Sequence, residues 1–529
     1  MPGRPETVPQ LLAAAVREAP DRPFLVTETG EITYAEMGRR VERAAAAWQA
    51  MGVCKGDRVA FLVENRSEFL EAWLGLATVG GTLVAINIRW TAPEVARFLE
   101  LCRPRFALVS RTYEEVWAQA AASLDSPIQA VHLDGRGPDE GFGALMATAP
   151  DPLPVSLDGE DLISFISTSG TTGAPKAVMQ THRNYVLTGE GYASWMRLRA
   201  GERLYLCLPL FHVNSQAYTT MGAIAARATI ILVERFSASR FWSDMVRYEV
   251  DLFNYVGSML MALLKREPDP DERRHHVRLC YGGPALPGPL HEEAERRFGM
   301  TIISGIGMSE TTFGLIESPE GERRPGSLGT ARQHPDLPFV NEARVVDNAG
   351  NDVPRGAIGE LILRNGAMMK GYYRNAAATR ETIREGWLHT GDLVRQDEDG
   401  FFWFVDRKKD VIRVRGENVS SAEVEEVLTQ HPDVNEAAVM GVPSEMTDDQ
   451  VVAFVVPRAG TDLTEEALRD WCAGRLAPFK IPSHIWFRES LPKTETQRVE
   501  KHRLRTEALG MLKHPTSEQL EAGGRVARG

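Results

Sequence analysis

The sequence has 529 residues, 43% of them hydrophobic and 25% charged, with a formal net charge of -12 at pH 7. A chain of this length divides into a large unit and a smaller one, and its ordinary composition excludes long-range disorder. The acidic balance argues against nucleic acid or an anionic membrane surface as partner, because no basic excess exists to offset phosphates.

Cys54, Cys102, Cys207, Cys280 and Cys472 are scattered, without CxxC spacing or paired histidines. This pattern predicts reduced thiols in a cytoplasmic protein rather than a disulfide frame or a zinc site. The apolar stretch 11–16 is short and flanked by Glu6 and Glu18, so no secretory leader is expected. No run approaches the roughly 18 apolar residues of a membrane span.

In chain order, Tyr34, Met37, Val41, Ala44 and Trp48 recur at helical spacing. A turn at Gly56-Asp57 leads to the apolar run 59–63, and Phe69, Leu70, Trp73 and Leu76 mark the next helix. This alternation predicts layered α/β structure. From 340 to 406 the texture changes to short apolar segments (343–346, 359–363, 401–405) between Gly, Asp and Asn turns, a small antiparallel β region.

The charged segment 406–410 follows. Ser420 and Glu423 fit a capping box opening a helix with Val424, Val427 and Leu428 on one face. A strand at 450–456, a helix from about 464 to 475 before Pro478, and a strand at 485–488 complete an α+β unit of about 100 residues. After about 509 the chain is polar and Gly-rich, and a frayed tail is expected.

The most informative segment is Thr168-Ser169-Gly170-Thr171-Thr172-Gly173-Ala174-Pro175-Lys176, which follows the apolar strand 162–166. Its glycines let the backbone approach an anion and turn N–H groups toward it. Four hydroxyls add donors and Lys176 adds a point charge, which suits a polyphosphate. Pro175 in place of the second glycine distinguishes it from a Walker A loop.

This segment resembles the phosphate loop of the adenylate-forming superfamily, which includes acyl-CoA synthetases, luciferases and peptide-synthetase adenylation domains. The resemblance extends from about 30 to 505. It implies an α/β enzyme with a large N-terminal AMP-binding domain (1–406) of layered subdomains plus a small β-barrel-like region. A smaller, mobile α+β C-terminal domain (407–508) and a disordered tail (509–529) would follow. Gly282, Gly283, Pro284 and Ala285 resemble the adenine segment, and Gly305-Ile306-Gly307-Met308-Ser309-Glu310 the next nucleotide motif. The resemblance gives Ser309 the α-phosphate and Glu310 Mg²⁺, an ion that wants oxygen ligands. It gives Asp392 and Arg407 the ribose. It makes His212 the gate of an acid pocket lined by Val213, Asn214, Val256, Gly257, Ser258, Gly282 and Gly307. It also implies Lys409 as the hinge and places Arg415, Gly416 and Glu417 on the coenzyme A path.

The wording of 211–216, 254–259 and 415–420 looks most like the carnitine/crotonobetaine-CoA ligase branch. The implied activity is a soluble, cytoplasmic acyl-CoA ligase using a carboxylic acid, ATP, Mg²⁺ and coenzyme A, with a homodimer as the family-level expectation. Three departures stand out. Gln497-Arg498 replaces the usual Gly-Lys, so a planar fork stands where a lysine normally bridges acid and α-phosphate. Ile306 stands where many relatives stack a tyrosine on adenine, at a cost of about 1 kcal/mol. Arg415 either hinders coenzyme A or pairs with one of its phosphates. These leave two alternatives: a specialist for one half-reaction, or a non-catalytic nucleotide-binding protein. Intact Lys176, Glu310, Asp392 and Arg407 disfavour the latter.

Overall fold

The computed structural model describes residues 4–135, 137, 140–169, 175–283, 285–286, 288–320, 322–337, 341–408, 410–414, 417–443, 449–473, 475–494 and 498–513; for Ser169, Arg413, Glu417, Asn418 and Lys513 only the backbone is described. The chain forms two compact units: 1–344 with 362–389 and 399–402, and 345–361 with 390–398 and 403 onward. The division expected at 406/407 differs from this one, which passes through the strands Glu342–Val346, Ile358–Arg364 and Trp387–Gln396. Together with Ile383–Arg384 and Phe402–Arg407 these strands form the short-stranded β region expected between 340 and 406.

The first unit is layered α/β. One sheet runs in the order Gln129–His132, Phe106–Val109, Arg58–Leu62, Thr82–Ala85, Leu162–Ser169, Pro175–Thr181. Its first five strands are parallel and the last is antiparallel. A nine-stranded sheet places Pro23–Thr27 beside Thr229–Leu232, then continues through Arg203–Leu206, Leu252–Val256, Leu279–Gly283 and Thr301–Met308. The buried runs in these strands follow from cover on both faces, as parallel sheets require.

Helices Tyr34–Ala50 and Ser67–Thr78 pack closely because small residues face each other. A Cβ on Gly75 would stand 2.6 Å from that of Ala44. Trp48 fills the adjoining space, and its indole N–H is satisfied by Ala72 O at 2.8 Å.

The second unit contains a three-stranded sheet, Val434–Pro443, Asp449–Pro457 and His484–Phe487. The central strand alternates strictly. Val451, Ala453 and Val455 enter a core with helices Ser421–Thr429 and Glu465–Ala473, while Val452, Phe454 and Val456 enter another with Leu504 and Ala508 of helix Lys501–Lys513. That period of two is the pleat itself. The last helix continues past 509, where the tail was expected to begin, because Leu504 and Ala508 pin it to the sheet. Residues 514–529 lie outside the described residues. Half of the expected capping box forms: Ser420 Oγ accepts from Glu423 N at 3.2 Å, whereas the Glu423 carboxylate is taken by Lys480 at 2.7 Å. Among the described residues no helix is long and apolar enough to cross a membrane.

Candidate active site

The phosphate segment is a β-hairpin. Strands Leu162–Ser169 and Pro175–Thr181 pair antiparallel with Thr168 opposite Lys176 and Ser169 opposite Pro175. The tip, Gly170, Thr171, Thr172, Gly173 and Ala174, lies outside the described residues. A strap, residues 367–373, runs alongside the hairpin's second strand. Met179 N donates to Gly371 O at 3.0 Å, Lys370 N to Met179 O at 2.9 Å and Tyr373 N to Ala177 O at 2.8 Å. The same strap reaches the nucleotide motif, where Met369 N donates to Glu310 O at 2.7 Å.

Side chains repeat the connection. The Lys176 ammonium lies 4.7 Å from the centre of the Tyr372 ring, and the Tyr372 hydroxyl donates to Glu310 Oε1 at 2.7 Å. Buried Gln180 donates to Ser309 O at 2.5 Å, and Asn184 donates to Gln180 Oε1 at 2.7 Å and Met368 O at 3.0 Å. Lys176, Ser309 and Glu310 are thereby brought together. The residues that do this, Gln180, Asn184 and Tyr372, were not among those singled out in the sequence. Gln180 alone carried a signal, an amide in an otherwise apolar stretch (177–179).

Strands Leu279–Gly283 and Thr301–Met308 run parallel with Gly282 beside Ser304, so Gly282, Gly283, Gly305, Ile306, Gly307 and Met308 come from neighbouring strand ends. Ala285 follows in the loop, and Pro284 lies outside the described residues. Gly307 is required by space, since a Cβ there would run into the Tyr218 hydroxyl, which donates to Thr312 O at 2.6 Å.

His212 packs on Phe211 with ring centres 4.5 Å apart. Burial, with the positive Arg89 nearby, pushes its pKa from 6.5 to about 4, so the ring is neutral at pH 7. After it comes a turn of π-helix, Asn214–Thr220, a form often found at functional sites. Asn254 donates to Asn214 Oδ1 at 2.8 Å and Thr219 Oγ1 at 3.1 Å and accepts from Tyr192 OH at 2.5 Å. Val256 ends the strand and Gly257 opens helix Gly257–Leu264, with Ser258 exposed and Val213 half-buried.

In the second unit, Asp392 is buried and its carboxyl lies 2.7 Å from Arg407 Nε. The ion pair is close, yet Asp392 Oδ1 accepts no hydrogen bond among the described residues, because the guanidinium N–H does not point at it. Burial raises the Asp392 pKa, and Arg407 and then Arg498 oppose the rise.

Arg498 closes a short loop. Thr494 N donates to Arg498 O at 2.7 Å, and Arg498 N donates to Thr494 Oγ1 at 3.2 Å. The neighbouring lysines are committed, Lys493 to Glu436 at 2.7 Å and Lys501 to Glu425 at 2.8 Å and Ser421 Oγ at 2.6 Å. Lys409, Arg415 and Gly416 lie outside the described residues, and Glu417 is described only as backbone opposite Val414.

The donor set fits Mg²⁺. Glu310 offers one well-oriented carboxylate, and no cluster of three or more His, Cys, Asp or Glu side chains occurs among the described residues. One carboxylate plus phosphate oxygens is how Mg²⁺ is usually held, in preference to an all-protein cage.

Residues 12–373 match the AMP-binding enzyme family and 423–498 match the AMP-binding enzyme C-terminal domain. The chain is 33% identical over 490 residues to a crotonobetaine/carnitine–CoA ligase of Proteus mirabilis, covering 90% of this chain and 93% of that protein. Among solved structures, an anthranilate CoA ligase (AuaEII) in complex with anthranoyl-AMP superposes with TM-score 0.87 at 28% identity, covering 97% of this chain and 99% of that one. ATP-bound MatB from Rhodopseudomonas palustris gives TM-score 0.85 at 28% identity, covering 94% and 98%.

Proposed function

The chain belongs to the AMP-binding enzyme family, and from that premise we propose how its own residues carry out the ligation of a carboxylic acid to coenzyme A. It is an acyl-CoA ligase of the AMP-forming type, with a carboxylic acid, ATP and coenzyme A as substrates and Mg²⁺ as cofactor. The relatives are CoA ligases by name, which favours the complete reaction over a half-reaction specialist.

In the first step a carboxylate oxygen forms a bond to the α-phosphorus of ATP as the bond to the bridging oxygen breaks and pyrophosphate leaves. In the second the thiol sulfur attacks the acyl carbonyl, its proton passes to solvent and AMP leaves. Two anions meet in the first step, so positioned cations carry the catalysis. No enzyme nucleophile is needed, and orientation supplies much of the rest.

Lys176 and the amides and hydroxyls of 168–173 hold the β- and γ-phosphates, and Ser309 holds the α-phosphate. Glu310 holds Mg²⁺, which when bound offsets phosphate charge. Asp392, ion-paired with Arg407, takes the ribose hydroxyls. Arg498 bridges the acid and the α-phosphate. Lys493 and Lys501 are poorer candidates, because each is already engaged by a carboxylate. His212, neutral, shapes the acid pocket without charging it.

The amide and hydroxyl network of Asn214, Asn254, Thr219 and Tyr192 favours a short polar acid, in keeping with the crotonobetaine or carnitine of the Proteus mirabilis relative. The domain 407–508 acts as a lid turning about Lys409 between the steps, with Arg415, Gly416 and Glu417 on the coenzyme A side. A cytoplasmic homodimer completes the reading.

The observation that carries this reading is the joining of Lys176 to Glu310 through one strap, since these are the two groups that polyphosphate and its metal need together. Pyrophosphate exchange measured over a panel of acids, with acyl-CoA formation followed in parallel, tests it. Short polar acids should support both. Exchange without thioester, or thioester only from preformed acyl-adenylates, would sink the complete-ligase reading.

A further inference from the structure

We propose that Tyr372 is a positioning residue for adenylation, setting the Glu310 carboxylate and the Lys176 ammonium against each other through one side chain. The proposal rests on reading Glu310 as the Mg²⁺ ligand and Lys176 as the phosphate cation. Tyr372 is 6% exposed, so water does not compete for its contacts. Its hydroxyl donates to Glu310 Oε1 at 2.7 Å, and its ring lies 4.7 Å from Lys176 Nζ.

The residue itself is held from both directions. Its backbone bridges to Val178, and its N–H donates at 2.9 Å to Thr379 Oγ1 on helix Ala376–Thr382. The flanking strap bonds to the Lys176 strand through Gly371 and Tyr373 and to Glu310 through Met369.

The chemistry of each half is specific. An ionised carboxylate only accepts hydrogen bonds, so a phenol fixed on Oε1 limits the group's rotation and sets its direction. The ring face attracts an ammonium ion electrostatically, which restrains the long, flexible lysine stem before phosphate arrives. A residue needed only to fill space would serve equally well as phenylalanine.

That contrast is the test. Y372F deletes one oxygen and keeps the ring, whereas Y372M deletes both contacts. Binding of Mn²⁺, the spectroscopically visible substitute for Mg²⁺, is measured by electron paramagnetic resonance on the full chain with ATP. Thermal midpoints are recorded alongside.

Y372F should weaken Mn²⁺ retention about tenfold, the scale of one hydrogen bond to a charged group. It should raise the Mg²⁺ concentration for half-maximal pyrophosphate exchange by a similar factor, and saturating Mg²⁺ should recover the rate. Y372M should add an increase in the KM for ATP. Mn²⁺ retention in Y372F equal to the parent overturns the proposal. E310Q is measured in parallel: if it loses Mn²⁺ while Y372F keeps it, only the positioning role fails. If E310Q also keeps Mn²⁺, the metal role of Glu310 is what was wrong.

Discussion

The two places where phosphate chemistry is expected are built in opposite ways. Around Lys176 and Glu310, a backbone strap and the side chains of Gln180, Asn184 and Tyr372 tie together segments far apart in the chain. Around Arg498 the described backbone bonds are local, Thr494 with Arg498 and Lys493 with Val499. The first arrangement ties distant segments to one another; the second holds its residue through backbone bonds to near neighbours in the chain. A ligase that must use one group in one step and withdraw it in the next has reason to be built this way.

The sharpest way to break that comparison is at Arg498. R498A should cut pyrophosphate exchange by about 10²- to 10³-fold, or roughly 3–4 kcal/mol, the scale of losing one positioned transition-state donor. R498K should lie within tenfold of the parent. The backbone bonds between Thr494 and Arg498 do not involve the side chain and remain available to both variants. Exchange by R498A within threefold of the parent would remove Arg498 from the mechanism.

What the sequence disclosed follows the same divide. Helical spacing located the helix beginning at Tyr34, and the apolar run at 162–166 and the strand expected at 450–456 are found within strands Leu162–Ser169 and Asp449–Pro457, because each carries its pattern in neighbouring residues. The motifs gave Lys176, Ser309, Glu310 and Asp392 by resemblance, but nothing local linked Tyr372 to Glu310. That contact depends on the strap lying beside strand Pro175–Thr181, a pairing set by tertiary structure. The insertion of Pro23–Thr27 next to Thr229–Leu232 was hidden for the same reason, as was the π-helical turn at Asn214–Thr220. Ser420 and Glu423 show local logic overruled, since Lys480 outcompetes the helix's own N-terminus for the carboxylate.

A second effect concerns the frame of the fixed region. His182 is fully buried at the start of helix His182–Trp195, where its Nδ1 accepts from Val8 N at 3.3 Å. Burial pushes its pKa from 6.5 to about 4, the nearby Asp161 only partly opposing this. Between pH 6.5 and 4 the unfolded chain therefore binds a proton that the folded chain refuses, and stability falls as pH drops through that window. The loss should reach on the order of 3 kcal/mol. His212 shifts the same way, but its accessible edge lets water soften the effect. Urea midpoints measured against pH should show this slope, and H182Q should flatten it. An unchanged slope in H182Q would assign the acid sensitivity elsewhere.

Next in size is Gln180, and here the expected readout reverses that of Arg498. Q180A removes the donor to the half-buried Ser309 carbonyl and one acceptor from buried Asn184. The expected cost is about 2 kcal/mol of stability, read from the urea midpoint. A variant that loses exchange activity with no loss of stability would mean that the tie acts on the substrate rather than on the frame.

The smallest expected change is a gain. Ile306 lies on strand Thr301–Met308 opposite Leu315, is only half-buried, and has exposed Gly307 as its neighbour. An aromatic ring there need not displace the core, which takes its strand residues from 302–305. I306Y supplies a flat face for adenine, and such stacking contributes about 1 kcal/mol. The KM for ATP in pyrophosphate exchange should fall about fivefold, with the rate at saturating ATP unchanged. Because the substitution adds to the fixed half of the site, it should not alter the response to R498A, and the double variant should show the two effects multiplied. If the KM does not move, the base of the nucleotide lies away from this strand end, and the stacking position read at Ile306 fails with it.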